Sequence, residues 1–168
     1  MTETIRALRS VRHFLPTAVP RATVEEMVEA ARWTGSARNR QPWRFVAVTD
    51  PGVRRELSQC GNFALHLADA PLVVVLLSQD NGFADTEFDM GRVAQSLCLA
   101  AHERGLGSCL TTFHPQDNVR RAAELLSTAS GWLPRHAVAL GYPAPDRAAP
   151  TAIPRGRLPV DELLTWIS

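Results

Sequence analysis

Two arginine clusters and one polar turn hold the residues of this chain best suited to chemistry. The first cluster lies in LRSVRHF, where Arg9, Ser10 and Arg12 follow one another as a first helix gives out. The second lies in PRGRLP, where Arg155 and Arg157 flank a glycine on an extended arm. Alternate residues of an extended segment face one side, so Arg155 and Arg157 point at one anion. A phosphate monoester carries roughly −1.5 to −2 charges near neutral pH and accepts several charge-assisted hydrogen bonds. Guanidinium groups with a Ser hydroxyl beside them suit it. Either cluster alone also reads as a solvated basic face. The turn lies in ARWTGSARNRQPWRF, which starts as a helix and ends as a strand. Its Asn39 amide offers a donor pair and an acceptor together, a match for the edge of a flat heterocycle with alternating carbonyl and N–H groups. Ser36 adds a hydroxyl, and Pro42 and Trp43 stiffen the turn. A turn in which Asn39 caps its own backbone accounts for the same residues, and residue chemistry leaves both readings open.

The elements that must position these groups follow from periodicity and punctuation. Thr23 to Glu26 has the form of a capping box, and Val24, Met27, Val28 and Ala31 keep helical spacing after it. That helix ends near Thr34 and Gly35. Residues 44–49 read as a strand. Asp50-Pro51 reads as a cap and first-turn proline for a short helix through Leu57. Residues 72–77 form an unbroken apolar run, the pattern of a strand buried on both faces. A long helix over 85–104 carries the stripe Met90, Val93, Ala94, Leu97, Cys98 and Ala101, and Gly105 and Gly107 stop it. Residues 109–113 and 135–141 read as further strands, with a helix through Val119 and Leu126 between them. The arm over 142–159 is rich in Pro and Arg and has no period, and a short helix over 159–167 closes the chain. Helices and strands mix without strict alternation, which predicts a sheet covered by helices.

Bulk properties exclude several classes. The chain has 168 residues, enough for one domain over 1–168, and 45% are hydrophobic. A formal net charge of +1 gives no general attraction for nucleic acid or an anionic membrane. All 18 basic residues are Arg, so a Schiff-base or phosphate-loop lysine is ruled out. Cys60, Cys98 and Cys109 form no C-x-x-C pair and read as buried thiols. The sequence has no G-x-G-x-x-G after a strand, no phosphate-loop motif, no H-E-x-x-H and no G-x-S-x-G. No apolar run is long enough to span a bilayer, the N-terminus lacks a signal-like apolar region, and a cytoplasmic location is expected.

Six segments, in order, resemble the FMN-dependent nitroreductase-like superfamily along almost the whole chain. RSVRHF is similar to that family's R-S-x-R-x-F, and the Ser36–Asn39 turn to its P-S-x-x-N-x-Q-P-W. DAPLVVVLL resembles its A-P strand, and FDMGRVAQSLCLAAHERGLGSCL its D-x-G-x-x-x-Q helix and following strand. ALGYPAP and RGRLPVDEL resemble its C-terminal elements. The resemblance implies an α+β fold: a three-layer α/β/α sandwich on a mainly antiparallel central sheet, with the C-terminal arm exchanged in a homodimer. It implies FMN as cofactor, with Arg9, Ser10 and Arg12 on its ribityl chain and phosphate, and Arg155 and Arg157 closing on the phosphate. Ser36 and Asn39 would meet the ring or the ribityl hydroxyls. The segment 107–112 would lie near the ring, offering a backbone N–H or the Thr111 hydroxyl. The implied activity is ping-pong two-electron transfer from NADH or NADPH to a nitroaromatic, a quinone or a similar electron-poor small molecule. A specialised flavin oxidase or dehalogenase and a non-catalytic flavin binder are the alternatives. His66 stands close to where relatives carry a basic residue, although its context favours a helix-surface or core histidine. Arg38 and Arg40 flank Asn39 and read as a solvated loop or as an attraction for a nicotinamide phosphate. Three features depart from the pattern: Leu8 stands where an Arg is common, Gly35 where a Pro is common, and SQDNGFADTE replaces a helical lid.

Overall fold

The computed structural model describes residues 2–145 and 156–167. Six α-helices and four strands alternate irregularly among the described residues: α1 (Thr2–Ala7), α2 (Arg21–Ala31), β1 (Trp43–Val48), α3 (Pro51–Ser58), β2 (Leu72–Gln79), α4 (Asp85–Glu103), β3 (Gly107–Thr112), α5 (Gln116–Leu125), β4 (Trp132–Gly141) and α6 (Val160–Leu163). The strands form one four-stranded sheet in the order β1-β2-β4-β3, and every neighbouring pair is antiparallel. β1 and β3 are therefore its two edges.

The sheet is covered on both faces. Leu72, Val74 and Leu76 of β2 point into one core with Met27 of α2 and Val93 and Leu97 of α4. Val73, Val75 and Leu77 point into the other with Leu57 of α3 and Val119 and Ala122 of α5. This double burial explains why β2 has no polar alternation: both sets of its side chains leave water. The three-layer α+β arrangement expected from the sequence is present.

Local signals set most boundaries. Asp50 accepts the Val53 N–H at 2.8 Å ahead of Pro51, so α3 starts where the cap and first-turn proline place it. The expected capping box at Thr23 is not used. Pro20, with extended backbone, precedes the first turn of α2, and its carbonyl accepts the Val24 N–H at 3.2 Å. Thr23 thus lies inside the helix, and Glu26 pairs with Arg104 at the end of α4 instead. β4 starts at Trp132, three residues ahead of the expected 135. A register shift opposite Leu76 and Leu77 accommodates the strand's Pro134. In place of a helical lid, the Asn81 side-chain Oδ1 accepts the Phe83 N–H and the Thr86 hydroxyl and so closes a tight entry to α4. Among the described residues no helix is long and apolar enough to cross a membrane.

Candidate functional site

The first arginine cluster runs along the outer edge of β3. Ser10 bridges Ser108 in parallel fashion, and the Val11 N–H donates to the Ser108 carbonyl at 2.8 Å. Gly107 permits this approach, because a Cβ there would sit 2.7 Å from that of Val11. Past Val11 the N-terminal segment leaves the strand and continues beside the end of β4, with the Leu15 N–H on the Tyr142 carbonyl and the Ala144 N–H on the His13 carbonyl. Among the described residues nothing pairs with the outer edge of β3 from that point. Its odd-numbered residues bond to β4, as the Phe113 N–H does to the Arg135 carbonyl. Backbone groups alternate sides along a strand, so the Leu110 N–H faces outward on the open edge, and its side chain is 48% exposed.

Behind that edge lies a polar pair. Thr111 is buried, and its hydroxyl lies 3.0 Å from His66 Nε2. His66 comes from a 3-10 turn over Leu65–Leu67, just before β2. Burial pushes its imidazole below the usual value of 6.5, and the nearby Arg12 guanidinium pushes in the same direction. The same charge reaches the Cys109 thiol, but burial outweighs it and the thiol is raised. All three cysteines are free, buried and raised by burial, as the sequence predicts for inert thiols. The structure therefore brings Ser10, Arg12, His66 and Thr111 to one edge.

The His66 shift has a measurable consequence. A base whose folded pKa is depressed is neutral in the native state while the unfolded chain already binds a proton, so stability falls as pH drops below about 6.5. The depressed carboxylates Glu29 and Glu87 add their own loss only from about one pH unit above their usual 4.5, so the window between pH 6.5 and about 5.5 is free of them. Thermal melts across that window should show the native protein losing stability toward the acid side. His66→Gln should lose less, and equal slopes for the two proteins would remove His66 as the cause.

The polar turn is built on the opposite edge. A 3-10 turn over Ala37–Asn39 leads into β1, and Arg38, Asn39 and Gln41 all have positive φ, near 50°. Left-handed backbone is uncommon outside glycine, and a cluster of it marks a segment held by its surroundings. Part of the holding is internal. The Ser36 hydroxyl accepts the Gln41 N–H at 2.8 Å, and Asn39 Oδ1 accepts from the side-chain Nε2 of Gln41 at 3.1 Å. The Ser36 oxygen is thus engaged in closing the turn, while the Asn39 NH2 stays exposed and outside that exchange. The rest comes from α4, where Asp89 accepts the Ala37 N–H at 2.9 Å and Asp85 pairs with Arg40. Arg40 also lies over the Phe83 ring, 4.4 Å from its centroid. It is a bound residue and not the solvated loop arginine expected from the sequence, whereas Arg38 is exposed.

The remaining expected residues are more dispersed. Arg9 donates to the carbonyls of Arg6 and Leu8, and Arg157 to that of Gly156. No hydrogen bond among the described residues joins Arg157 to the first cluster. Arg155 lies outside the described residues. Asp89, which sequence reasoning passed over, had a visible signal: an acidic residue four positions before Val93 on the apolar stripe of α4 must have a buried partner.

Comparison with known proteins agrees with this architecture. The model of the nitroreductase family matches residues 5–61 and 58–142. The NADH dehydrogenase of Thermus thermophilus is 29% identical over 201 aligned positions, covering 94% of this chain and 91% of that protein. The oxygen-insensitive NADPH nitroreductase of Salmonella typhimurium is 28% identical over 162 positions, covering 86% of this chain and 67% of that one. Among solved structures, an FMN-dependent nitroreductase from Clostridium difficile superposes with a TM-score of 0.82 at 24% identity, over 90% of this chain and 92% of its own. The antiparallel sheet, the helices on both of its faces and the match over most of the chain lead to one conclusion: the chain belongs to the nitroreductase family of oxidoreductases.

Proposed function

We propose that this chain is an FMN-dependent oxidoreductase that draws electrons from NADH or NADPH and passes them to an electron-poor small molecule such as a nitroaromatic or a quinone. The observation that carries the reading is the open edge of β3, where an outward Leu110 N–H, the Ser10 and Thr111 hydroxyls and the Arg12 guanidinium converge. That donor set suits a flat, acceptor-rich ring that ends in a phosphate. Arg9, Ser10 and Arg12 would hold the ribityl chain and phosphate, with Leu110 and Thr111 against the ring. When bound, FMN supplies two-electron hydride chemistry at N5. The chain's own groups bind and orient: Arg12 brings positive charge to the edge, and His66, kept neutral, steadies the Thr111 hydroxyl.

The same reading requires two copies of the chain. Ser36 and Asn39 sit at the β1 edge and Ser10 and Thr111 at the β3 edge, three strand spacings away, or roughly 14 Å at about 4.8 Å each. A site that uses both edges is completed by the turn of a second copy. Two further features support a homodimer with exchanged arms. Leu158, Val160, Leu163, Leu164, Trp166 and Ile167 are exposed on the C-terminal segment, and an apolar surface of that extent marks a contact site. β1 is also an edge strand with one side unpaired among the described residues, a ready template for another segment. Arg155 and Arg157 would then reach the phosphate of a shared site.

The purified protein should be yellow, and mass spectrometry of the released cofactor should give FMN. FAD as the main species would overturn the assignment. Anaerobic NADH or NADPH should bleach the colour, and a flavin that stays oxidised would remove the reductase reading. Light scattering should give twice the 18.4 kDa chain mass. A monomer that keeps stoichiometric FMN would show that the site is not shared.

A further inference from the structure

The polar turn is fastened to α4 by a chain of contacts that its own sequence does not explain. Asp85 and Asp89 are four residues apart and so share one face of α4. Asp89 is 2% exposed, and its two oxygens are divided: Oδ2 accepts the Ala37 N–H at 2.9 Å and Oδ1 accepts Arg92 Nη1 at 3.2 Å. Gly35 makes room for this arrangement. A Cβ there would lie 3.1 Å from Arg92 Nη2, so a side chain at this position presses on the guanidinium that steadies Asp89. One residue before the turn, the Thr34 hydroxyl donates to the Ser96 hydroxyl at 2.7 Å and fixes its entry to the same helix. At its far end Arg40 pairs with Asp85. Between these fixed points lie Arg38 and Asn39, and Gln41 follows directly after Arg40; all three are left-handed.

We propose that Asp89 is a positioning residue for the cofactor: by holding the Ala37 N–H, its buried carboxylate fixes the left-handed course of the turn and so aims the Asn39 amide at the FMN bound by the partner copy. The proposal rests on the functional reading above. A buried carboxylate is expensive unless its oxygens are bonded, and this one spends one oxygen on the first N–H of the turn.

The test uses the full-length protein, with FMN as the probe. Hydrogen exchange in the FMN-free state reads the turn, and quenching of flavin fluorescence reads affinity, both well below the melting temperature of each variant. Asp89→Ala should speed exchange of the peptide containing Ala37 and weaken FMN roughly tenfold or more, the loss expected for one hydrogen bond to a charged group. Asp89→Asn keeps an acceptor for the Ala37 N–H and should recover most of both. Arg92→Gln changes a half-exposed side chain, folds if the Asp89 variants do not, and should fall between parent and Asp89→Ala. Unchanged exchange at Ala37 in Asp89→Ala, or faster exchange with unchanged FMN affinity, would overturn the proposal. So would equal losses in Asp89→Asn and Asp89→Ala, which would show that the charge matters and the hydrogen bond does not. A parent protein that does not bind FMN would sink the cofactor reading itself, which sets that failure apart from the others.

Discussion

A chain cut before Ala144 is expected to lose FMN and to run as a monomer or an aggregate. The described residues of the removed segment make little of the core. Its first residue donates one backbone hydrogen bond, from Ala144 to His13, and its last described stretch leaves six large apolar side chains in water. In an isolated subunit, deleting exposed leucine, isoleucine and tryptophan would improve solubility and leave the melting temperature nearly unchanged. In an exchanged dimer the same deletion removes the apolar contact with the partner and both arginines of the arm. A ligand that binds only the assembled form stabilises that form, so loss of assembly and loss of FMN should appear together. Light scattering and the flavin absorption of the truncated protein decide between the two. A truncated chain that stays dimeric and yellow would place the dimer interface and the phosphate site elsewhere.

How much of this was legible beforehand depends on whether a residue's burden is local. The run from Leu72 to Leu77 is apolar without alternation because helices cover both faces of β2, and that pattern can be read without knowing which helices they are. The α4 stripe and the Asp50 cap are local in the same sense. The start of β4 was not, because Pro134 reads as a strand breaker until the register shift against β2 is known. The start of α2 failed for a different reason: Thr23 and Glu26 satisfy the capping pattern, but Pro20 begins the helix earlier and Glu26 is drawn to Arg104, 78 residues away.

The site divides along the same line. Residue chemistry marked Ser10 and Arg12 as donors for a phosphate, and Ser36 and Asn39 as polar groups for the edge of a flat heterocycle. It could not show that two of them lie on one edge of the sheet and two on the other, because that separation is set by the strand order β1-β2-β4-β3. Nor could it choose between the two readings of the turn, because the partners of Ser36 and Asn39 are set by the folded course of the chain. Ser36 closes the turn on itself, while the exposed NH2 of Asn39 lies outside that closure. The anchoring through Asp85 and Asp89 joins residues about fifty positions apart, beyond the reach of any local pattern.

Arg12 should have the largest single-residue effect on the β3 edge, and on two observables at once. It is exposed, and its charge is the second cause of the depressed His66 pKa after burial. Arg12→Ala removes the charge and leaves the burial and the backbone hydrogen bonds, so in the FMN-free protein the His66 titration followed by NMR should move up. The acid-side loss of stability should shrink in step, because the gap between folded and unfolded pKa narrows. If Arg12 also holds FMN, one hydrogen bond to a charged group contributes about 1.5–3 kcal/mol, and affinity should fall roughly 10- to 150-fold. The two readouts separate position from function. A His66 titration that does not move would mean that Arg12 points away from the edge. A His66 titration that moves while FMN affinity stays at the parent value would leave Arg12 at the edge as a tuner of His66 and take it out of the cofactor site.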